Sequence, residues 1–143
     1  SAKLTVDLCV SEVKLEDYKG MILIGGYAMD RLRYEPKLST TQNQSPAVQL
    51  LRDAVSLMDA GQLCVGTICH SLWLFCADPE LLRGRSVTCA HNIYCDVVNA
   101  GGIVVQENGE TVEVHQDGCL ITGRHPGAVD QFNQAFLSQL NKF

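Results

Sequence analysis

The chain lacks the features that mark membrane proteins and nucleic-acid-binding proteins. None of its apolar runs approaches the roughly 20 residues that a membrane-spanning helix needs, and no cationic, then apolar leader stands at its start. Its 11 Lys and Arg residues are scattered singly among 16 Asp and Glu residues, so no basic stripe is present to neutralise phosphates. These absences predict a protein with neither membrane nor nucleic acid among its partners, and cysteines that stand in apolar segments, as reduced thiols do, predict a cytoplasmic location.

The cysteines lack the spacing of zinc ligands and the number expected of a disulfide framework. There are seven of them, an odd number, and most stand inside apolar segments, as reduced thiols in a core do. No C-x-x-C pair occurs, and the Cys and His residues within 64–76 and 89–95 are not spaced as zinc ligands. The G-x-G-x-x-G fingerprint of dinucleotide sites is also missing. We therefore expect no metal and no cofactor.

The sequence instead alternates strand-like and helix-like segments over its 143 residues, enough for one domain spanning 1–143. This alternation predicts a layered α/β fold with helices on both faces of the sheet. A small antiparallel section is expected from residue 103 onward, with turns at Asn108-Gly109 and Asp117-Gly118. Strands are predicted at 4–10, 21–24, 62–68, 86–89, 103–105, 111–115 and 119–122. Helices are predicted at 27–35, from Pro46 to before Gly61, after Cys69, at 91–100 and at 128–140.

Residues 36–46 form the only stretch of low hydrophobicity, which predicts a surface loop. Ser45 at its end is placed to cap the next helix, with Pro46 at the first helical position. The loop is close in sequence to Gly25-Gly26, so it could shape the entrance to a site there.

The junction at Cys69-His70 is the most informative feature of the sequence. Residues 62–72 read Q-L-C-V-G-T-I-C-H-S-L, an apolar run that ends at a thiol and then continues as a helix. This is the pattern of a nucleophile elbow, in which a sharp, strained turn between strand and helix exposes the nucleophile. The following helix would also place its positive end near the thiol, which favours the thiolate. Cys69 is therefore the first candidate for a reactive residue.

Several motifs in order resemble the PfpI/ThiJ family of the class I glutamine amidotransferase-like superfamily. They are G-G-Y-A-M-D-R-L-R (25–33), G-T-I-C-H-S (66–71), L-L-R-G-R (81–85), N-A-G (99–101), D-G (117–118) and G-R-H-P (123–126). The resemblance implies a flavodoxin-like α/β/α sandwich with a mostly parallel sheet. It also implies a cysteine-dependent enzyme acting on a small carbonyl, amide or related electrophile.

The resemblance assigns site residues where the motifs match. Cys69 matches the nucleophile and His70 its partner, while Asp30 matches an acidic position that is presented to the site of a neighbouring subunit. The backbone amides of Gly26 and His70 match the two donors of an oxyanion hole, in which negative charge on a reacting oxygen is stabilised.

Four further residues are pocket candidates with a structural alternative. Gly25 belongs to the glycine pair, and Ser71 stands where the family commonly has glycine, so its hydroxyl could face the pocket. Trp73 either lines the pocket or lies in the core, as its helical spacing also permits. His125 either faces the site or begins the last helix with Pro126 in its first turn.

The family's first strand, helix and second strand have no counterpart in this chain. That stretch carries a glutamate that hydrogen-bonds the nucleophile, and its first strand is central to the sheet. Because buried strands do not leave their backbone groups unpaired, we expect a companion segment or a homo-oligomer to complete the sheet.

Three functions stay open at this point. The first is a hydrolase or a glyoxalase or deglycase, with isonitrile hydratase as a further branch. The second is a noncatalytic redox sensor or binding module in which Cys69 oxidises reversibly. The third is that the chain is an inactive fragment or one half of a two-chain protein. True glutamine amidotransfer is disfavoured because no downstream His-x-Glu dyad is present.

Overall fold

The computed structural model describes residues 2–38 and 41–143, and its central feature is a four-stranded sheet. The strands of the described residues are β1 (Gly20–Leu23), β2 (Cys64–Ile68), β3 (Ser86–Val87), β4 (Ile103–Val104), β5 (Gln106–Glu107), β6 (Glu110–Thr111), β7 (Val114–Asp117) and β8 (Leu120–Gly123). The central sheet has the order β1-β2-β8-β7, in which β1, β2 and β8 are parallel and β7 is antiparallel to β8. The predicted mixed sheet, mostly parallel, is confirmed.

Helices cover both faces of this sheet. They are α1 (Ala28–Leu32), α2 (Pro46–Asp59), α3 (Leu72–Cys76), α4 (Tyr94–Asn99) and α5 (Val129–Leu140), with short 3-10 turns between them. Side chains of α2, α3 and α4 pack in one hydrophobic cluster, and Phe132 and Phe136 of α5 in another. Neighbouring residues of β2 point to opposite faces, so Val65 joins the first cluster and Cys64 the second. The three-layer α/β/α architecture predicted from the sequence is thereby confirmed.

Gly66 allows α5 to lie close against the sheet. A Cβ at this position would come within 2.7 Å of the Phe132 ring and 3.0 Å of the Phe136 ring. Any larger residue here would push α5 away from β2, because interiors are packed without spare volume.

The N-terminal strand predicted at 4–10 is wrong. Residues 4–9 precede a 3-10 turn at Val10–Glu12, and none of residues 4–10 belongs to a strand. The alternating residues Leu4, Val6 and Leu8 are 90%, 75% and 48% exposed. An alternating pattern becomes a strand only when another strand pairs with it, and none of the described strands pairs with this segment.

The section after residue 103 differs in detail from the prediction. β4 pairs with β3 in parallel, and the antiparallel pairs are β5-β6 and β7-β8. The turn predicted at Asn108-Gly109 joins β5 to β6, and both of its residues have the positive φ that such a turn requires. The single strand predicted at 111–115 is interrupted at 112–113 and becomes β6 and β7.

The start of α2 is confirmed, with Pro46 at its first turn, although the Ser45 side chain makes no capping hydrogen bond. Part of the predicted loop at 36–46, namely Ser39 and Thr40, lies outside the described residues. None of the helices within 2–38 and 41–143 combines the length and apolarity that crossing a membrane requires.

β1 has the composition of an interior strand but lies at the edge of the sheet. It pairs with β2 on one side only, and the order of the sheet places no described strand on its other side. Ile22 and Ile24 are 43% and 73% exposed, although the run Met21–Ile24 is entirely apolar. Edge strands usually carry charge or proline, which block pairing with another strand, and β1 has neither.

Candidate active site

Cys69 occupies the predicted elbow. β2 ends at Ile68, α3 begins at Leu72, and Cys69 between them has a φ of 62°. This left-handed conformation is unfavourable for a residue with a side chain, by about 1–3 kcal/mol, and persists only where surrounding structure imposes it. The Cys69 N–H donates to the Gly123 carbonyl at 2.9 Å, and the Cys69 carbonyl accepts from the Ala90 N–H at 3.3 Å. The strained turn predicted at Cys69 is confirmed.

Gly25 is required by the close approach of two strand ends. A Cβ at Gly25 would lie 2.6 Å from the Ile68 carbonyl oxygen and 2.8 Å from the Cys69 Cβ. The same position is 3.4 Å from the His70 backbone nitrogen. The glycine pair therefore borders the elbow directly, and Gly26 after it has a φ of 106°, which favours glycine.

Ser71 holds the ends of β1 and β2 together and does not offer its hydroxyl to the pocket. Its side chain is fully buried, and its Oγ lies 2.6 Å from the carbonyl oxygens of both Leu23 and Ile68. The same oxygen accepts from the Ile68 N–H at 3.2 Å. The expectation of a pocket-facing hydroxyl is wrong because these strand-end groups already satisfy it.

The Cys69 thiol lies against the imidazole of the next residue. The Cys69 Sγ is 2.9 Å from the His70 Nδ1, and the His70 Nε2 is 2.8 Å from the Asn92 Nδ2. Cys69 is half-buried, whereas only 9% of His70 is exposed. The structure thus brings the two residues predicted as nucleophile and partner within hydrogen-bond distance.

Two aromatic rings enclose the His70 imidazole. The centroid of Trp73 is 4.9 Å from that of His70, and the centroid of Tyr27 is 5.2 Å away. Trp73 also packs beneath the Arg33 guanidinium at 5.7 Å and donates from Nε1 to the Asp96 carboxylate at 2.8 Å. Trp73 therefore contacts the candidate site while it also packs, half-buried, against the hydrophobic core.

Asp30 and His125 make their contacts away from Cys69. The Asp30 carboxylate is exposed and pairs with the Arg33 guanidinium at 2.7 Å. His125 caps the 3-10 turn before α5, where its Nδ1 accepts from the Gly127 N–H at 2.9 Å. The structural alternative for His125 is the one observed, and a role for Asp30 in a neighbouring subunit stays a prediction.

The helix after the elbow is shorter than a strong dipole requires. α3 has five residues, so few aligned peptide groups contribute a positive end near Cys69. The hydrogen bond between Cys69 and His70 is therefore the main electrostatic contact of the thiol.

Three of the other thiols are kept protonated by burial. Burial raises the pKa of Cys64 to about 12, that of Cys76 to about 11 and that of Cys89 to about 12. At neutral pH these thiols stay protonated, and a protonated thiol is a poor nucleophile. Within residues 2–38 and 41–143, no three His, Cys, Asp or Glu side chains come together as a possible metal site.

Sequence reasoning missed two residues that contact His70. Tyr27 directly follows the glycine pair, and that position could have placed it near the elbow. Asn92 stands in the 3-10 turn His91–Ile93 and follows no recognisable motif, so only the folded chain reveals it.

Comparison with known proteins places the chain in a family. Residues 1–139 match the model of the DJ-1/PfpI family. An uncharacterized protein of Staphylococcus saprophyticus is 31% identical over 146 residues, covering 97% of this chain and 71% of that protein. An uncharacterized protein of Staphylococcus aureus strain Mu50 is 31% identical over 145 residues, covering 96% and 71%.

Solved structures agree with this assignment. A two-domain protein from Anabaena variabilis with DJ-1/ThiJ/PfpI-like and ferritin-like domains has a TM-score of 0.74 and 29% identity. The superposition covers 92% of this chain and 32% of the Anabaena protein, so the chain spans about a third of that protein's length. A ThiJ/PfpI domain protein from Brachyspira murdochii has a TM-score of 0.75 at 20% identity, covering 96% and 69%, and supports the fold alone. The chain belongs to the DJ-1/PfpI family.

Proposed function

We propose that this protein is a cysteine-dependent enzyme that adds its Cys69 thiolate to a small carbonyl compound. The observation that carries the proposal is the elbow itself, where a half-buried thiol in a strained backbone conformation lies 2.9 Å from the His70 Nδ1. Strained non-glycine residues cluster at functional sites because the fold must offset their cost. Cys69 has this conformation, and none of the other six cysteines does.

The proposed step is a nucleophilic addition. A lone pair of the thiolate sulfur forms the C–S bond, the π pair of the carbonyl moves to its oxygen, and water supplies a proton to that oxygen. With a 2-oxoaldehyde the product is a hemithioacetal, whose C–H proton then moves to the neighbouring carbonyl carbon and leaves a thioester. Water hydrolyses this thioester to a 2-hydroxy acid and frees the Cys69 thiolate. The aromatic rings of Tyr27 and Trp73 flank the imidazole beside the sulfur and would limit the site to small substrates.

Two backbone amides are suited to stabilise the developing oxyanion. The backbone hydrogen bonds of the described residues include none donated by the N–H of Gly26 or of His70. Both residues border the elbow, and an N–H without an internal acceptor is available to a substrate oxygen. One such donor can contribute about 3 kcal/mol to stabilisation of the transition state.

The proposal is tested with Cys69→Ser and Cys69→Ala against methylglyoxal, an isonitrile and a peptide panel. Cys95→Ser is the matched control because Cys95 is an exposed thiol of α4. We expect the wild type and the control to turn over at least one of these substrates, and the Cys69 variants to lose roughly 1,000-fold or more of kcat. Equal turnover in all four proteins would contradict a catalytic Cys69.

Redox sensing is the alternative outcome of the same experiment. Among the described residues, the Cys69 sulfur has His70 as its hydrogen-bond partner, and no carboxylate hydrogen-bonds it. If nothing is turned over while peroxide converts Cys69 selectively to sulfenic and then sulfinic acid, the chain is a redox sensor. Intact mass measurement after a peroxide titration, with Cys69→Ala as the blank, distinguishes the two.

We also propose that a companion segment pairs with the free edge of β1. The all-apolar composition of Met21–Ile24 and the exposure of Ile22 and Ile24 support the proposal, because an added strand would cover these side chains. Ile22→Lys should weaken the assembly and leave the monomer folded. Size-exclusion chromatography with mass detection checks this, and a wild-type protein that runs as a folded 15.6 kDa monomer would contradict it.

A further inference from the structure

The side chain of Asn92 contacts the ring nitrogen of His70 that faces away from Cys69. Its Nδ2 is 2.8 Å from the His70 Nε2, while the His70 Nδ1 is 2.9 Å from the Cys69 Sγ. Both distances are within hydrogen-bonding range. Each nitrogen of the imidazole thus has its own partner, and the partner on Nε2, Asn92, is 22 positions away in the sequence.

The turn that carries Asn92 is fixed on two sides. At its start, the Ala90 N–H donates to the Cys69 carbonyl at 3.3 Å, which ties the turn to the elbow. On its other side, the Thr111 N–H donates to the His91 Nε2 at 3.2 Å, and the Thr111 hydroxyl donates to the Cys89 carbonyl at 3.0 Å. These hydrogen bonds fix the position of the turn that carries Asn92 relative to the elbow.

The polarity of this contact determines where the imidazole carries its proton. An amide nitrogen only donates hydrogen bonds, so a ring nitrogen opposite it must accept and is therefore unprotonated. In a neutral imidazole one nitrogen carries the proton and the other accepts. With Nε2 accepting from Asn92, the proton lies on Nδ1 and points at the Cys69 sulfur.

We propose that Asn92 is a positioning residue that holds His70 in its Nδ1–H tautomer. His70 then donates a hydrogen bond to the Cys69 thiolate and does not remove the thiol proton, which leaves to solvent before the addition. No proton crosses between the two side chains in this arrangement, so His70 acts on Cys69 as a donor and not as a general base. The inference rests on the proposed function only for its consequence in catalysis.

Packing against Trp73 hinders the ring from exchanging its two nitrogens. The Trp73 centroid is 4.9 Å from that of His70, which is only 9% exposed, so a flip of the imidazole would disturb the Trp73 ring. Tyr27, with its centroid 5.2 Å away, is 73% exposed and hinders the flip less. A proton on Nε2 would instead bring two N–H groups face to face, unless the Asn92 amide turned over. The tautomer therefore depends on the side chain at position 92.

The test is the long-range ¹H–¹⁵N correlation spectrum of protein labelled with ¹⁵N-histidine, which reports directly which ring nitrogen is protonated. The chain has four histidines, and His70→Gln assigns the signals of His70. In the wild type we expect Nδ1–H to exceed Nε2–H by roughly ten to one, a ratio that one net hydrogen bond sustains. Asn92→Asp should reverse this, because a carboxylate accepts from Nε2–H.

Asn92→Leu should leave a mixture of the two tautomers, since it removes the donor and keeps a similar shape. Asn99→Asp is the matched control, because it adds the same charge at an exposed position in α4 and should leave the spectrum unchanged. A wild-type His70 protonated on Nε2 would overturn the proposal, as would identical tautomers in the wild type and Asn92→Asp. The readout needs no substrate, so it succeeds or fails independently of whether Cys69 turns anything over.

Discussion

Cys64 is the first residue of β2 and Cys69 directly follows its last, and the two thiols differ in how deeply they are buried. Cys64 is fully buried with Phe132 and Phe136, and burial raises the pKa of its thiol to about 12. Cys69 comes one residue after β2 ends, is half-buried, and has the His70 Nδ1 2.9 Å from its sulfur. At pH 8 about one Cys64 thiol in ten thousand would be ionised at that pKa.

The comparison teaches that the position of a cysteine relative to the strand, and not the residue type, decides how far its thiol is covered. A residue inside β2 is covered by a helix, whereas the residue after it leaves the sheet and is only half-buried. The cost is a strained backbone, which Gly25 and Ser71 support by allowing and fixing the close approach of β1 to β2. Three changes can break or sharpen this contrast.

Gly25→Ala should have the largest effect on the difference in alkylation rate between the Cys69 and Cys64 thiols. Its Cβ would meet the Ile68 carbonyl at 2.6 Å and the Cys69 Cβ at 2.8 Å, so the elbow must move. We expect a loss of about 1–3 kcal/mol in the free energy of unfolding and roughly tenfold slower alkylation of Cys69 by iodoacetamide.

Gly109→Ala serves as its control. A Cβ at Gly109 meets nothing within 4 Å, although its φ of 80° makes the change locally strained. This variant should lose stability without any change in Cys69 alkylation, measured by urea unfolding and by mass spectrometry. Alkylation at the wild-type rate in Gly25→Ala would show that the close approach does not position the thiol.

Ser71→Ala should loosen the elbow by a smaller amount. The change leaves the Leu23 carbonyl, at 2.6 Å from the lost hydroxyl, without that fully buried donor. Losing this part-buried hydrogen bond should cost about 1 kcal/mol, which urea unfolding measures as a lower midpoint. Ser56→Ala at an exposed position of α2 should leave the midpoint unchanged, and equal midpoints for both variants would refute the role of Ser71.

Cys64→Ala should reduce the loss of unfolding free energy that the protein shows as the pH rises into the alkaline range. Because burial raises the pKa of Cys64 to about 12, the unfolded chain loses this proton first as pH rises above about 8.5. The stability that the neutral thiol contributes is thus complete below pH about 8.5 and declines as pH rises toward 12.

Urea unfolding at several pH values compares Cys64→Ala with the wild type, and Cys95→Ala controls for an exposed thiol. By pH 9.5 the wild type should have lost about 1 kcal/mol more than Cys64→Ala. If the free energy of unfolding fell equally with pH in the two proteins, the fold would not be keeping the Cys64 thiol protonated.

The sequence predicted the layers and the elbow because both depend on local patterns. The apolar run before Cys69 specifies β2, and Pro46 at a first helical turn specifies the start of α2. The strand at 4–10 failed because alternation describes one strand and says nothing about whether a partner exists. The apolar run of β1 likewise predicts a strand but does not reveal its place at the edge of the sheet.

The candidate site could be predicted only as far as its residues are neighbours in the sequence. Cys69 and His70 are adjacent, so their motif identifies both. Asn92 reaches His70 through a turn that follows another strand, and no local pattern encodes that approach. Ser71 differed from expectation because the carbonyls that bind its hydroxyl belong to the strand ends, including Leu23, 48 positions away.

The most direct test of the account is the alkylation of the native protein by iodoacetamide at pH 7.5, quantified at each of its seven free cysteines by mass spectrometry. We predict that Cys69 is modified first and that Cys64 and Cys89, which are fully buried, react at least about 100-fold more slowly. The account is contradicted if Cys69 reacts no faster than the exposed Cys95, or if Cys64 keeps pace with it.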